Sequence, residues 1–246
     1  MEVLYNENNF FVKLTDEEFR KIKPIINYDV VFEKQELDFN PMVEYALKFA
    51  TRMHEGQYRK NGLPYICHPI KVAEYVSRFK VSQESDMLIT CAYLHDVLEN
   101  TNATYYDIVN IFGSQVGSIV LELTNDDDLK KEIGKSRYME IKMKNMSSWA
   151  LVIKLCDRLD NVSDLQNSEE EFKLRYSKQT LEIIDYLIKN RFLSKTHVVI
   201  IKEIINTLLP LFYNEYDILV QNEITFENIN EQKENVEKII KKILKN

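Results

Sequence analysis

The chain has 246 residues, of which 45% are hydrophobic and 29% charged, and its 39 acids against 32 Lys and Arg leave a formal charge of −7. That balance argues against general binding to nucleic acids or anionic membranes, while a local basic patch could still hold one phosphorylated ligand. Only 5 Gly and 5 Pro occur, too few for a loop-rich all-β protein, and apolar residues recurring at three- and four-residue spacing predict an all-α fold.

Cys67, Cys91 and Cys156 are odd in number and lack C-x-x-C spacing. They read as small core hydrophobes in a reducing compartment rather than as a disulfide framework or thiolate metal site. With neither a basic-then-apolar leader nor an apolar run of about 18 residues, a cytoplasmic setting is expected.

Residues 1–40 mix apolar and polar side chains, and Val30, Val31 and Phe32 suggest a short hairpin or a cap. From Pro41 the pattern sharpens: Met42, Ala46, Phe49, Ala50 and Met53 form a helical stripe, with Pro41 suited to a first turn. Residues 54–69 then read H-E-G-Q-Y-R-K-N-G-L-P-Y-I-C-H-P. Tyr58 stands where a zinc H-E-x-x-H motif needs its second His, so His54 and Glu55 are not read as that motif. Arg59 and Lys60 form a loop cation pair, suited to phosphate or simply solvated. His68 precedes Pro69 and is expected in extended backbone at the mouth of a helix over 69–79, either delivering an imidazole to a site or serving a structural role.

The stretch 90–100, T-C-A-Y-L-H-D-V-L-E-N, holds the most informative chemistry. On one helix, Leu88, Cys91, Ala92 and His95 share an inward stripe, and Asp96, Glu99 and Asn100 fall within a turn of one another. Ionisable groups on a core-facing stripe need a partner, and a metal ion is one remedy. A satisfied core histidine beside an exposed acid is the equal alternative.

Thr104 and Asp107 resemble a capping box. Ser114 is expected to cap a helix bearing Val116, Ile119, Val120 and Leu123. The acids of N-D-D-D, 125–128, lack the spacing of a calcium loop and read as solvated turn residues. Residues 130–145 read as one exposed charged helix, and Ser147 or Ser148 caps an apolar helix in which Trp149, Val152, Ile153, Cys156 and Asp157 share a face. Asp157 is a second acid in an apolar stripe, with Asn161 one turn on, so a cation or hydrogen-bond donors should meet it. Helices follow around Leu181 and over 198–211, stopped by Pro210, and residues 230–246 carry an apolar side that could dock on the core or on a second copy.

Taken together, the 54–69 stretch, L-H-D-V-L-E-N-T, F-G-S-Q-V and V-I-K-L-C-D-R-L-D-N closely resemble the hydrolase domain of the RelA/SpoT homologues, a branch of the HD phosphohydrolase superfamily, over roughly residues 41–180. The L-T-N-D-D-D-L stretch and small size are most similar to the stand-alone small alarmone hydrolases, including the metazoan SpoT homologue. The resemblance implies an HD-domain helical bundle at 41–190, which leaves 1–40 as an N-terminal extension and 191–246, beyond the resemblance, as extra C-terminal helices.

It further implies Mn²⁺-dependent hydrolysis of the 3′-pyrophosphate of guanosine tetra- or pentaphosphate, with His68, His95, Asp96 and Asp157 as metal ligands. Another divalent metal would also suit that mixed nitrogen and oxygen set. Glu99 would activate water beside Asn100, while Arg59, Lys60, Asn61, Tyr65 and Asn161 would bind the nucleotide. Two departures stand out: Asn100 replaces the acid of the family's H-D-x-x-E-D, and Asp160 stands where the family often has His or Tyr, a change expected to alter base contacts. Asn100 keeps two further readings open, a phosphohydrolase of another nucleotide such as the 2′-phosphate of NADPH, and a nucleotide- or protein-binding module. No nucleic-acid or membrane partner is expected, and self-association is left open.

Overall fold

A computed structural model of the chain describes residues 40–211 and Lys238. The hairpin or cap expected in 1–40, and the apolar side of 230–246 other than Lys238, lie outside the described residues. Within them the expected all-α fold is found: apart from one isolated bridge between Tyr58 and Pro64, no strand pairing occurs.

The helices are α1 (Pro41–Met53), α2 (Cys67–Phe79), α3 (Ser85–Leu94), α4 (Val97–Asn100), α5 (Tyr105–Phe112), α6 (Ser114–Leu123), α7 (Asp127–Ile133), α8 (Lys135–Asn145), α9 (Ser148–Ser163), α10 (Glu170–Asn190) and α11 (Lys195–Leu208). The centre is α9. Ser147 Oγ caps it by accepting from the Ala150 amide at 3.1 Å, and every residue from Ala150 to Asp160 is buried. A helix hidden on all sides needs neighbours on all sides, and α2, α3, α6, α10 and α11 supply them. Val198, Ile201, Ile204 and Ile205 of α11 join the same core as Leu151 and Leu155 of α9. Cys91 and Cys156 are fully buried, as small core hydrophobes are, while Cys67 is partly exposed and all three are free thiols.

Several local expectations are corrected. Met42 is 43% exposed, and the inward stripe of α1 is instead Val43, Ala46 and Ala50. The Asn40 side chain accepts from the Met42 amide, so the cap holds that residue at the outer rim. His68 is helical rather than extended: carbonyls of Pro64 and Tyr65 already take the Cys67 and His68 amides, so the winding begins before Pro69. Pro69 then falls in the first turn, where a missing N–H costs nothing.

The 90–100 helix breaks at His95 and Asp96. The Ala92 carbonyl, which would serve the Asp96 amide in a continuous helix, accepts from the His95 ring at 2.7 Å. Ser114 is the first residue of α6 and makes no cap; the joint is Gly113, at φ 88°. The helix expected over 130–145 is split by Gly134, also left-handed at φ 83°. In the acidic run, Asp126 caps α7 by accepting from Asp128 and Leu129, and Asp127 and Asp128 pair with Lys130 and Lys131.

The capping box of α5 forms as the sequence predicts, with Thr104 and Asp107 exchanging side-chain-to-backbone bonds. Thr104→Ala should therefore cost about 1 kcal/mol. In thermal unfolding this should appear as a midpoint lowered by about 2–4 °C, and an unchanged midpoint would show that α5 is held by packing alone.

Candidate metal centre

Three elements bring their ionisable residues to one point: the first turn of α2 with His68, the break after α3 with His95, and the middle of α9 with Asp157. One donor atom from each lies within 4.8 Å of the others, and all three residues are buried. The two Nε2 atoms are 3.2 Å apart, and Asp157 Oδ1 is 3.2 Å from His68 Nε2. Both rings are oriented from behind. His95 Nδ1 donates to the Ala92 carbonyl at 2.7 Å, and His68 Nδ1 donates to Asp160 Oδ2 at 2.6 Å. With both Nδ1 protons committed, the two Nε2 atoms converge, an arrangement a cation satisfies once the Nε2 of His68 has given up its proton. Two nitrogens bound at about 2.0–2.1 Å in a tetrahedral shell would sit about 3.3 Å apart, so the donor set fits a divalent metal ion.

Asp96, the fourth expected ligand, flanks this cluster. Its Oδ2 lies 3.3 Å from His95 Nε2 and 3.7 Å from His68 Nε2, and it accepts from the Tyr65 hydroxyl at 2.5 Å. Burial would raise the Asp96 carboxyl, but the His95 and His68 imidazoles together outweigh it and hold the group below the usual carboxylate range. Asp157 behaves alike: the Lys154 ammonium, 2.7 Å from Oδ2, and then His68 overcome desolvation. Asn161 donates to Asp157 Oδ1 at 2.6 Å, so the donors expected from the sequence are present.

Glu99 is held one turn beyond the break. Asn125 reaches it with its side-chain amide at 2.9 and 2.8 Å and its backbone N–H at 3.2 Å. Lys142 in turn donates to Asn125 Oδ1 at 3.0 Å and to the Leu123 carbonyl at 2.9 Å. Because an ammonium only donates, it fixes the Asn125 oxygen toward itself and the NH₂ toward Glu99. Asn100 does not join the cluster: its side chain donates to Tyr65 Oη at 3.1 Å, and its carbonyl accepts from Gln57 at 2.7 Å. His54 is buried behind Tyr65, with ring centroids 4.8 Å apart and Nδ1 2.9 Å from Gln57 Oε1.

The loop before α2 folds back on itself through the Tyr58–Pro64 bridge, with the Gly62 amide closing a turn onto the Arg59 carbonyl at φ 85°. Its tip overhangs a cavity of about 950 Å³ that reaches the centre and is lined by Arg59, Lys60, Glu99, Lys154, Asn161 and Phe172, among others. Arg59 is paired with Asp160 at 2.6 Å and Asp164 at 2.8 Å. The Lys60 ammonium sits 5.0 Å from the centre of the Phe172 ring. Asn61 accepts from the Leu63 amide at 3.1 Å and shapes the turn, and with Tyr65 it lines the cavity.

Ten of the eleven site residues expected from the sequence line one cavity, and the eleventh, His95, belongs to the adjoining cluster; Asn125, Lys142 and Lys154 were not foreseen. Lys154 was legible as a cation three residues before Asp157 in an apolar helix. Asn125 and Lys142 carried no such signal, since their contacts with Glu99 and with each other span 26 and 17 residues.

Burial alone would lower His68, but bonds to Asp157 and then Asp160 raise its pKa to about 9. A metal ion entering the cluster must displace that proton. Affinity of metal-stripped protein for Mn²⁺ should therefore climb about tenfold per pH unit from pH 6.5 and level off near pH 9. Calorimetry in two buffers of different ionisation enthalpy should show about one proton released at pH 7.5; a flat profile with no release would contradict a protonated His68.

Comparison with known proteins gives the family. The HD domain family model matches residues 46–191. A guanosine-3′,5′-bis(diphosphate) 3′-pyrophosphohydrolase from Aquifex aeolicus is 35% identical over 57% of this chain and 20% of its own length. The bifunctional (p)ppGpp synthase/hydrolase SpoT of Escherichia coli is 36% identical over 56% of this chain and 20% of its own. The chain thus spans about a fifth of these long relatives. The Drosophila melanogaster guanosine-3′,5′-bis(diphosphate) 3′-pyrophosphohydrolase MESH1 is 38% identical over 49% of this chain and 68% of its own length. A solved structure of a metazoan SpoT orthologue that hydrolyses ppGpp superposes with a TM-score of 0.58 at 28% identity, covering 68% of this chain and 95% of that one. By the span of the family match and by its fold, the chain belongs to the HD domain family, among the SpoT/RelA homologues that include the metazoan proteins.

Proposed function

We propose that this protein removes the 3′-pyrophosphate of (p)ppGpp, releasing GDP or GTP and pyrophosphate, and that Mn²⁺ is its metal. The observation that carries the proposal is the convergence of His68 Nε2, His95 Nε2 and Asp157 Oδ1 at the inner end of a cavity overhung by a cationic loop. The hydrolase named for the Drosophila relative supports the choice of substrate.

In this reading His68, His95, Asp96 and Asp157 hold the ion, which when bound polarises a phosphoryl oxygen and lowers the pKa of water. Glu99, fixed by Asn125, orients a water and takes its proton as the water oxygen adds to the 3′-linked phosphorus. The P–O3′ bond breaks, O3′ takes a proton, and pyrophosphate leaves. Lys154 neutralises charge beside Asp157, Arg59 and Lys60 bind phosphate or the base, and Asn61, Tyr65 and Asn161 line the nucleotide pocket. Asn100 acts by holding the Tyr65 hydroxyl that steadies Asp96, a task an amide donor performs without titrating.

We infer too that residues 41–190 form the phosphohydrolase unit, with 1–40 as an extension and 191–246 as a segment that begins with the core-packing α11. Three unpaired thiols support a cytoplasmic setting.

Metal-stripped protein incubated with ppGpp should release GDP and pyrophosphate only after Mn²⁺ is added. Glu99→Gln should lower kcat by about 10²–10⁴ with KM changed only a few-fold. Intact ppGpp with metal-loaded, folded protein would sink the proposal, and orthophosphate released from NADPH instead would identify the other phosphohydrolase activity.

A further inference from the structure

His68 can serve a metal only while its ring presents a free Nε2 lone pair toward His95 and Asp157. What fixes that presentation lies on α9, three residues beyond Asp157. Asp160 is 4% exposed, and its Oδ2 receives both His68 Nδ1 and Arg59 Nη1 at 2.6 Å. Arg59 turns its other nitrogen, Nη2, to Asp164 Oδ2 at 2.8 Å. The ion pairs of His68 run to Asp96, Asp157 and Asp160, and none runs to Asp164. Two acids therefore anchor the same arginine, and one of them also grips an imidazole of the cluster.

We propose that Asp160 is a positioning residue for the metal: its carboxylate holds the proton on Nδ1 of His68, sets the plane of the ring and makes Nε2 a stronger donor. This rests on the reading of His68 as a ligand under "Proposed function". A carboxylate behind a ligating imidazole acts in just these ways, and its loss commonly weakens metal binding by about 10–100-fold. An amide in its place could still accept the Nδ1 proton but would lack the charge that strengthens the bond. Asp160 thereby contributes to the site without touching the ion or the reacting atoms. Its residue type, which differs from the His or Tyr expected there, is matched by its bonds from His68 and from the Arg59 guanidinium.

The test is Mn²⁺ titration of metal-stripped full-length protein by calorimetry, comparing Asp160→Asn, Asp160→Glu, Asp164→Asn and His68→Gln, each checked for helicity by circular dichroism. Asp160→Asn should weaken binding about 10–100-fold, while Asp164→Asn, which loosens the same arginine, should stay within about twofold. Asp160→Glu, which keeps the charge, should lie between Asp160→Asn and the parent and serves as the second variant should Asp160→Asn fail to fold. Equal weakening by the Asp160 and Asp164 variants would reduce the role to anchoring the loop and overturn the proposal, as would parent-like affinity in both Asp160 variants. Parent-like affinity in His68→Gln would instead overturn the metal reading itself.

Discussion

A helix buried on every side carries four ionisable residues, Lys154, Asp157, Arg158 and Asp160, and the rest of the molecule is arranged to make that tolerable. A charge removed from water costs several kcal/mol unless a partner of good geometry meets it. Lys154 and Asp157 answer one another across less than a turn. Asp160 takes His68 and Arg59. Arg158 lies 5.0 Å from the Tyr176 ring centre and donates to the Thr180 hydroxyl at 3.4 Å. Two of these partners come from α10 and two from the α2 region, so the electrostatics of α9 dictate which elements surround it.

The same constraint produces the site. Apolar residues of α9 would pack its neighbours with less risk, and a core tolerates such exchanges well. Keeping carboxylates and an ammonium there instead leaves a pocket of fixed dipoles and charges in a low-dielectric setting, where electrostatic interactions act most strongly. His95 reaches this pocket only because α3 gives up its regular winding: the ring takes over the Ala92 carbonyl, and the chain turns before α4 begins.

Much of this was legible in the sequence, for a physical reason. Helical periodicity exposes a polar residue on an apolar stripe, and His95 and Asp157 were found that way. Caps at Thr104 and Ser147 were legible because the signal is local. The break at Gly113 was legible because the apolar pattern of one helix ends there and another begins, whereas the split at Gly134 was legible only to a reading that took glycine as a left-handed joint. Asp96 was placed among the ligands by resemblance, and geometry sets it beside the three-residue cluster with Tyr65 attached. Asn125 and Lys142 were hidden because long-range contact leaves no period: one resembled a solvated turn, the other an exposed helix. Asp160 was noticed for its residue type but assigned to base contacts, since nothing local reveals that it turns toward His68.

The single oxygen that serves both His68 and Arg59 also has a thermodynamic meaning. A phosphate that drew the guanidinium away would leave Asp160 to the imidazole alone, which would strengthen the grip of that ring on an ion. By linkage, the ion must then favour the phosphate to the same degree. With His68 read as a ligand, the metal would then bind more tightly to the nucleotide-loaded protein than to the empty one.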